Sequence, residues 1–143
     1  MIAHDRDVVR IGALELRFVV DETTGSGSLV AFEFVIPPNA RVPAPHFHQD
    51  VDEMIYALDG ITTSTLDGQR HELRTGESLF VPRGSTHTHE NLHDETARSL
   101  VVLTPGLIGR RYFEEIAAEV NVPGKPDLAR IKEIMLRHGL VPA

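Results

Sequence analysis

The chain has 143 residues and a formal net charge of -7, with 41% hydrophobic and 24% charged residues. This balance predicts one globular domain over residues 1–143 with a core of its own, and the acidic charge argues against a nucleic-acid partner, which needs a basic surface. Because the chain contains no cysteine, disulfides, thiolate metal sites and cysteine nucleophiles are excluded.

The chain opens on a polar, charged segment, residues 1–7, which does not have the pattern of a secretory signal. No apolar run approaches the roughly 20 residues that a membrane-spanning helix needs. We therefore expect a cytoplasmic protein without a membrane partner.

Short β-rich runs separated by turn residues fill residues 8 to about 104. The pairs Asp59-Gly60 and Asp67-Gly68 each suit a tight hairpin turn, because aspartate and glycine tolerate positive φ. Strands at such regular spacing indicate an antiparallel sandwich or barrel. The predicted strands are Val8–Ile11, Leu14–Val20, Leu29–Ile36, Glu53–Leu58, Ile61–Leu66, Ser78–Val81, His87–Asn91 and Ser99–Thr104.

The period of the apolar residues changes in the tail, about residues 108–139, where it becomes helical. Two amphipathic helices are predicted, and Gly139 is placed to end the second. We expect them to pack on the outside of the barrel or against a partner. The apolar faces consist of Phe113, Ile116, Ala117 and Val120 in the first helix and Leu128, Ile131, Ile134 and Met135 in the second.

Two histidine-containing segments carry the candidate metal ligands. His46 and His48 are two residues apart, so along a strand they share one face. Glu53 follows after room for a turn and is expected on the neighbouring strand of the same face. His87, from a distant strand, would complete the set and tie the two halves of the barrel together.

Three imidazoles and one carboxylate suit one divalent transition metal ion: iron, manganese, nickel, cobalt, copper or zinc. Four protein ligands around an octahedral ion leave two positions for water or substrate, which is typical of a catalytic site. Glu53 is a candidate catalytic residue, since a ligand that detaches can act as a base. His89 is the second, because it follows His87 by two residues and is expected to share its inward face, as a proton carrier or substrate contact. The alternative for His89 is a rim position facing solvent, and Asn91 is expected to hold a turn through its side chain.

These residues resemble the two sequence motifs of the cupin superfamily, and more narrowly its single-domain quercetin-dioxygenase-like branch. The chain departs from the first motif at Ala40, where the family has glycine at a turn. The matching positions are His46, His48, Glu53 and Gly60 in the first motif, and Gly76, Pro82, Gly84, His87 and Asn91 in the second.

The resemblance implies an all-β fold: a double-stranded β-helix (jelly-roll) barrel over about residues 8–104, followed by short α-helices. It also implies a metal-dependent enzyme, dioxygenase-like, that acts on a small oxygen-rich organic substrate. The alternatives are a metal-dependent isomerase, lyase or cyclase, and a non-catalytic small-molecule-binding protein, because one fold serves many functions. Small cupins commonly pair their barrels, so we expect a homodimer.

Overall fold

The structure is a computed structural model that describes residues 7–143, so the polar segment at the start of the chain lies almost wholly outside the described residues. Within this range the strands form two antiparallel sheets, and two helices follow β10. The elements are β1 (Val8–Ile11), β2 (Leu14–Val20), β3 (Val30–Ile36), β4 (His46–His48), β5 (Asp52–Asp59), β6 (Thr62–Leu66), β7 (Gln69–Leu73), β8 (Ser78–Val81), β9 (His87–Glu90), β10 (Ala97–Thr104), α1 (Arg110–Val120), α2 (Leu128–Arg137) and β11 (Leu140–Pro142).

The two sheets face each other and enclose the core. Six strands run in the order β1-β2-β3-β10-β5-β8, and five run in the order β11-β4-β9-β6-β7. Period-two alternation places Val30, Ile55 and Val101 on the inner face of the six-stranded sheet, where each is almost fully buried. This architecture confirms the all-β jelly-roll barrel with short C-terminal helices.

The two Asp-Gly turns have different roles. Asp67 and Gly68, with φ of 47° and 83°, join the hairpin strands β6 and β7 as predicted. The prediction of a hairpin at Gly60 is wrong, because β5 and β6 belong to different sheets and the chain crosses between them. Gly60 has φ of 66°, and a Cβ there would lie 2.4 Å from the carbonyl oxygen of Thr96. Glycine is thus required by the crossing itself.

Two strands, β7 and β11, were not predicted from the sequence. β7 is mostly polar because it lies at the edge of the five-stranded sheet, where the period-two signal is weak. β11 has only three residues, including a proline, and it forms by pairing with β4 after the helices return the chain. The predicted bounds of β1, β2 and β8 are confirmed, and those of the other predicted strands are within two residues of the observed ones.

Helix α1 was expected on the outside of the barrel or against a partner, but it packs against the inner face of the six-stranded sheet. Its Phe113 ring lies 5.9 Å from that of Phe18 and 5.3 Å from that of Phe32. Phe32 shares the inner face of its sheet with Ile55 through the register of β3, β10 and β5. Helix α1 therefore covers apolar residues at the open side of the barrel.

Helix α2 begins after Asp127, whose side chain accepts hydrogen bonds from the backbone N–H groups of Ala129 and Arg130. It ends before Gly139, which has φ of 81° as predicted for a residue that closes a helix. The chain then enters β11, so the tail supports the strand that carries His46 and His48. Neither helix within residues 7–143 is long and apolar enough to cross a membrane.

Candidate metal centre

Three histidines converge inside the barrel from adjacent strands. His46 of β4 pairs directly with His87 of β9, and the ring of His87 lies 4.8 Å from that of His46 and 4.7 Å from that of His48. The three side chains offer nitrogen atoms within 4.8 Å of one another, a group that could hold a metal ion. The expectation that His87 ties two halves of the barrel is wrong, because β4 and β9 are neighbours in one sheet.

Glu53 reaches the same space from the opposite sheet. It lies on β5 and is 5% exposed, and its Oε1 is 3.7 Å from Nε2 of His87. The expected position on a neighbouring strand of the same face is therefore wrong. After His48 the chain crosses to the other sheet instead of turning back, so Glu53 is the residue that links the two sheets at the site.

His89 faces the interior beside His87, as the alternation of β9 predicts. It is 9% exposed, which rules out the alternative of a rim histidine facing solvent. Its Nε2 lies 2.5 Å from Oε2 of Glu53, and its Nδ1 lies 2.8 Å from Oγ of Ser64. Ser64 was not predicted to belong to the site, because only the pairing of β6 with β9 places it opposite His89.

The ring orientations fit a metal ion. Nδ1 of His46 lies 2.8 Å from the carbonyl oxygen of Ala44, and Nδ1 of His87 lies 3.0 Å from that of Ser85. A carbonyl oxygen only accepts, so each Nδ1–H donates and each Nε2 keeps its lone pair for a ligand. His48 Nδ1 is buried without a hydrogen-bond partner among the described residues. Such an orphaned nitrogen is costly unless it serves another purpose, such as binding a metal.

The charge states of His46, His48 and Glu53 also suit metal binding, whereas His87 must lose a proton to bind: burial by itself lowers its pKa, but Glu53 outweighs burial and raises it. Burial lowers the pKa of both His46 and His48 to about 4, so both imidazoles are neutral near pH 7. Burial by itself raises the pKa of Glu53, but His89 and His87 outweigh it and hold that pKa well below its usual range. Neutral imidazoles and an ionised carboxylate are the forms that coordinate a metal.

Asn91 has the structural role that was expected. Its Nδ2 donates to the carbonyl oxygens of Ile36 at 2.9 Å and Glu95 at 2.7 Å, and its Oδ1 accepts from the backbone N–H of His93 at 2.9 Å. These bonds fix the turn after β9. Asn91 thereby holds the end of the strand that carries His87 and His89.

The motif positions and the barrel agree with a comparison against known families, in which residues 32–103 match the Cupin domain. The chain belongs to the cupin family. The roles of His46, His48, His87 and Glu53 as ligands, and of Glu53 and His89 in catalysis, stay predictions for this cupin.

Several known proteins are similar to this cupin. It is 31% identical to the polyketide synthase CurC of Streptomyces cyaneus over 50% of this chain and 46% of that protein. It is 30% identical to quercetin 2,3-dioxygenase of Bacillus subtilis over 64% of this chain and 26% of that enzyme. The chain thus spans half or less of these curated relatives. The solved structure of the polyketide cyclase RemF from Streptomyces resistomycificus has a TM-score of 0.61 and 32% identity, covering 73% of this chain and 78% of RemF.

Proposed function

We propose that this cupin is a metal-dependent enzyme that acts on a small, oxygen-rich substrate of the polyketide or polyphenol type. The observation that carries the proposal is the buried donor group at the centre of the barrel. His46, His48 and His87 present nitrogens from one sheet, and Glu53 presents a carboxylate from the other. A structural ion would need no adjacent buried pair of proton-transfer groups, whereas Glu53 and His89 form one.

A divalent metal held by His46, His48, His87 and Glu53 supplies Lewis-acid polarisation of a substrate oxygen and, if it is redox-active, chemistry with O2. The protein contributes the remaining steps. The barrel interior keeps bulk water away from the donors, since His48, Glu53 and His87 are each at most 5% exposed. Glu53 would take up and return a proton at the substrate when its Oε1 detaches from the metal, and His89 would share that proton through its hydrogen bond to Oε2.

The leading candidate reaction is proton removal beside a carbonyl followed by ring closure. RemF, described as a polyketide cyclase, is the relative that supports it, with 32% identity over 78% of its length. Polyketide chains carry carbonyl groups at short intervals, so two oxygens of one substrate can approach a single ion. This chemistry requires a base and a polarised carbonyl, which Glu53, His89 and the bound metal would provide.

A dioxygenase is the second candidate, and its support is the 30% identity with quercetin 2,3-dioxygenase. The same residues would position a hydroxyl and a carbonyl oxygen of an aromatic substrate. Cyclisation by dehydration releases water and consumes no O2, whereas dioxygenation adds both atoms of O2. The two reactions are therefore separated by product mass and oxygen uptake.

The deciding experiment begins with elemental analysis of the purified protein. The metal-loaded protein is then incubated with a linear poly-β-ketone and, separately, with a flavonol. Mass spectrometry measures the products while an electrode measures O2. Conversion that requires metal and consumes no O2 supports the cyclase, and conversion with stoichiometric O2 uptake supports the dioxygenase. Recovery of a bound but unchanged compound would favour the non-catalytic binding protein instead.

A further inference from the structure

We infer that Ser64 is a positioning residue of the metal centre, which acts through His89 to hold one oxygen of Glu53 and leave the other for the metal. The inference rests on the proposed metal site and concerns a residue outside both sequence motifs. Ser64 lies on β6, its side chain is fully buried, and it stands opposite His89 in the register with β9.

The direction of the hydrogen bonds follows from the chemistry of the groups. An ionised carboxylate only accepts, so Nε2–H of His89 donates to Oε2 of Glu53 across 2.5 Å. The other ring nitrogen, Nδ1, then pairs with the hydroxyl of Ser64 across 2.8 Å. Without Ser64 the ring would keep its bond to Glu53 but lose the contact that sets its rotation. The hydroxyl therefore fixes the plane in which His89 presents its Nε2–H.

The two oxygens of Glu53 consequently have separate roles. Oε2 is engaged by His89, whereas Oε1 lies 3.7 Å from Nε2 of His87, on the side of the three-histidine group. A carboxylate without the bond to His89 can rotate about its last bond and present either oxygen. The metal site would then lose a ligand atom that is already in position when the ion arrives.

His89 also lies near the donors, and with Glu53 and His87 it forms a second group whose ligand atoms are within 4.8 Å of one another. Its ring distances and hydrogen bonds nevertheless make it a poorer fourth ligand than Glu53. Its ring is 5.6 Å from that of His87, farther than the 4.7 Å and 4.8 Å that separate His87 from His48 and His46. Both nitrogens of His89 already have hydrogen-bond partners. His89 is thus better explained as the partner that orients Glu53 than as a ligand.

The test compares Ser64→Ala with a matched control, Ser99→Ala. Ser99 is 1% exposed, faces the same interior and bonds to Thr62 Oγ1 at 2.9 Å, so its substitution also removes one buried hydroxyl. Metal affinity is measured with cobalt(II) in competition with a chelator. The visible absorption of the cobalt(II) protein reports its coordination. We expect Ser64→Ala to weaken binding about 10-fold and change the spectrum, while Ser99→Ala leaves both as in the wild type.

Equal effects of the two substitutions, or a Ser64→Ala protein with wild-type affinity and spectrum, would overturn the inference. If Ser64→Ala does not fold, Ser64→Cys replaces it, because a thiol fills the buried site but is a much weaker hydrogen-bond partner for His89 than a hydroxyl. The same weakening and spectral change are expected there, and wild-type values would again overturn the inference. A wild-type protein that binds no cobalt(II) would instead refute the proposed metal site.

Discussion

Among the histidines of the candidate centre, His48 gives the most direct indication of a bound ligand. Its buried Nδ1 has no hydrogen-bond partner among residues 7–143. We expect His48→Ala to lower metal affinity by more than the roughly 10–100-fold typical of a partner outside the coordination sphere. The barrel should persist, since the substitution breaks no hydrogen bond of that nitrogen. Metal content by elemental analysis and circular dichroism measure the two effects.

The control for that experiment is His93→Ala. His93 is not among the donors of the candidate centre, and its Nε2 lies 2.7 Å from Oε2 of Glu72. Its removal deletes an imidazole without touching the centre, so metal content should stay at the wild-type level. Unchanged metal content in His48→Ala would refute the assignment of that ligand.

Asp21 stabilises the loop between β2 and β3. Its Oδ1 accepts hydrogen bonds from the backbone and hydroxyl groups of Thr23 and Thr24. Burial alone raises the pKa of Asp21, but these bonds outweigh it and hold the pKa below 3.8. A lowered pKa in the folded state means that the stabilisation is present above the unfolded value and is lost as the pH falls through the folded value.

We therefore expect Asp21→Asn to lower the free energy of unfolding at pH 7 by about 1–2 kcal/mol. The difference from the wild type should shrink as the pH falls from about 4, the ordinary value for an aspartate, through the lower pKa that Asp21 has in the folded state. Urea unfolding at pH 7 and pH 3 measures it, with the exposed Asp94→Asn as a control for charge alone. A deficit of equal size at both pH values would contradict this account.

At the scale of elements, Gly60 lies where the chain crosses from β5, the strand that carries Glu53, back to β6 in the sheet of the histidines. Gly60 adopts φ of 66° at this crossing, and a Cβ would meet the backbone of Thr96 at 2.4 Å and of Ala97 at 2.9 Å. Gly12 has a similar φ of 59°, but a Cβ there would meet nothing within 4 Å. Both positions have a positive φ, which strains any residue other than glycine, but only Gly60 lacks the space for a side chain.

Alanine substitutions at Gly12 and Gly60 separate the cost of a left-handed backbone from the cost of a steric clash. We expect Gly12→Ala to cost about 1 kcal/mol of unfolding free energy, the usual penalty of left-handed backbone. Gly60→Ala should cost at least about 2 kcal/mol more, because backbone atoms must move. Urea unfolding of both variants measures the difference. Equal losses would mean that the crossing tolerates a side chain.

At the scale of the whole molecule, the outer face of the six-stranded sheet is an apolar surface that no element within residues 7–143 covers. Phe80, on the edge strand β8, is 57% exposed, and Tyr56 is 39% exposed. Arg98 beside this surface is neutralised by Glu33 and Asp59. The apolar row consists of Val102, Met54 and Phe80, which follow one another in the register of β10, β5 and β8.

We propose a second copy of this chain as the occupant of the row. Each copy carries a net charge of -7, so two copies approach best through a face whose charges are already paired. Phe80→Glu should convert a dimer into a monomer, measured by light scattering. Leu128→Glu is the control, because Leu128 is 75% exposed on α2, away from the row. A monomeric wild type would refute the homodimer.

Local sequence rules were enough for the side-chain directions within each strand. The period of two placed His46 with His48 and His87 with His89. The resemblance of the two motifs to the cupin superfamily implied the barrel and the type of metal site. Helical periodicity likewise identified both helices of the tail, including Gly139 at the end of α2. These features depend only on residues close together in the chain.

The relations between distant strands were decided by the tertiary structure alone. Glu53 faces the histidines from the opposite sheet, His87 is a neighbour of His46, and Ser64 meets His89. Strand order and register depend on the packing of the whole core, and no local period carries that information. The sequence therefore determined which side chains point inward, and the fold decided which of them meet.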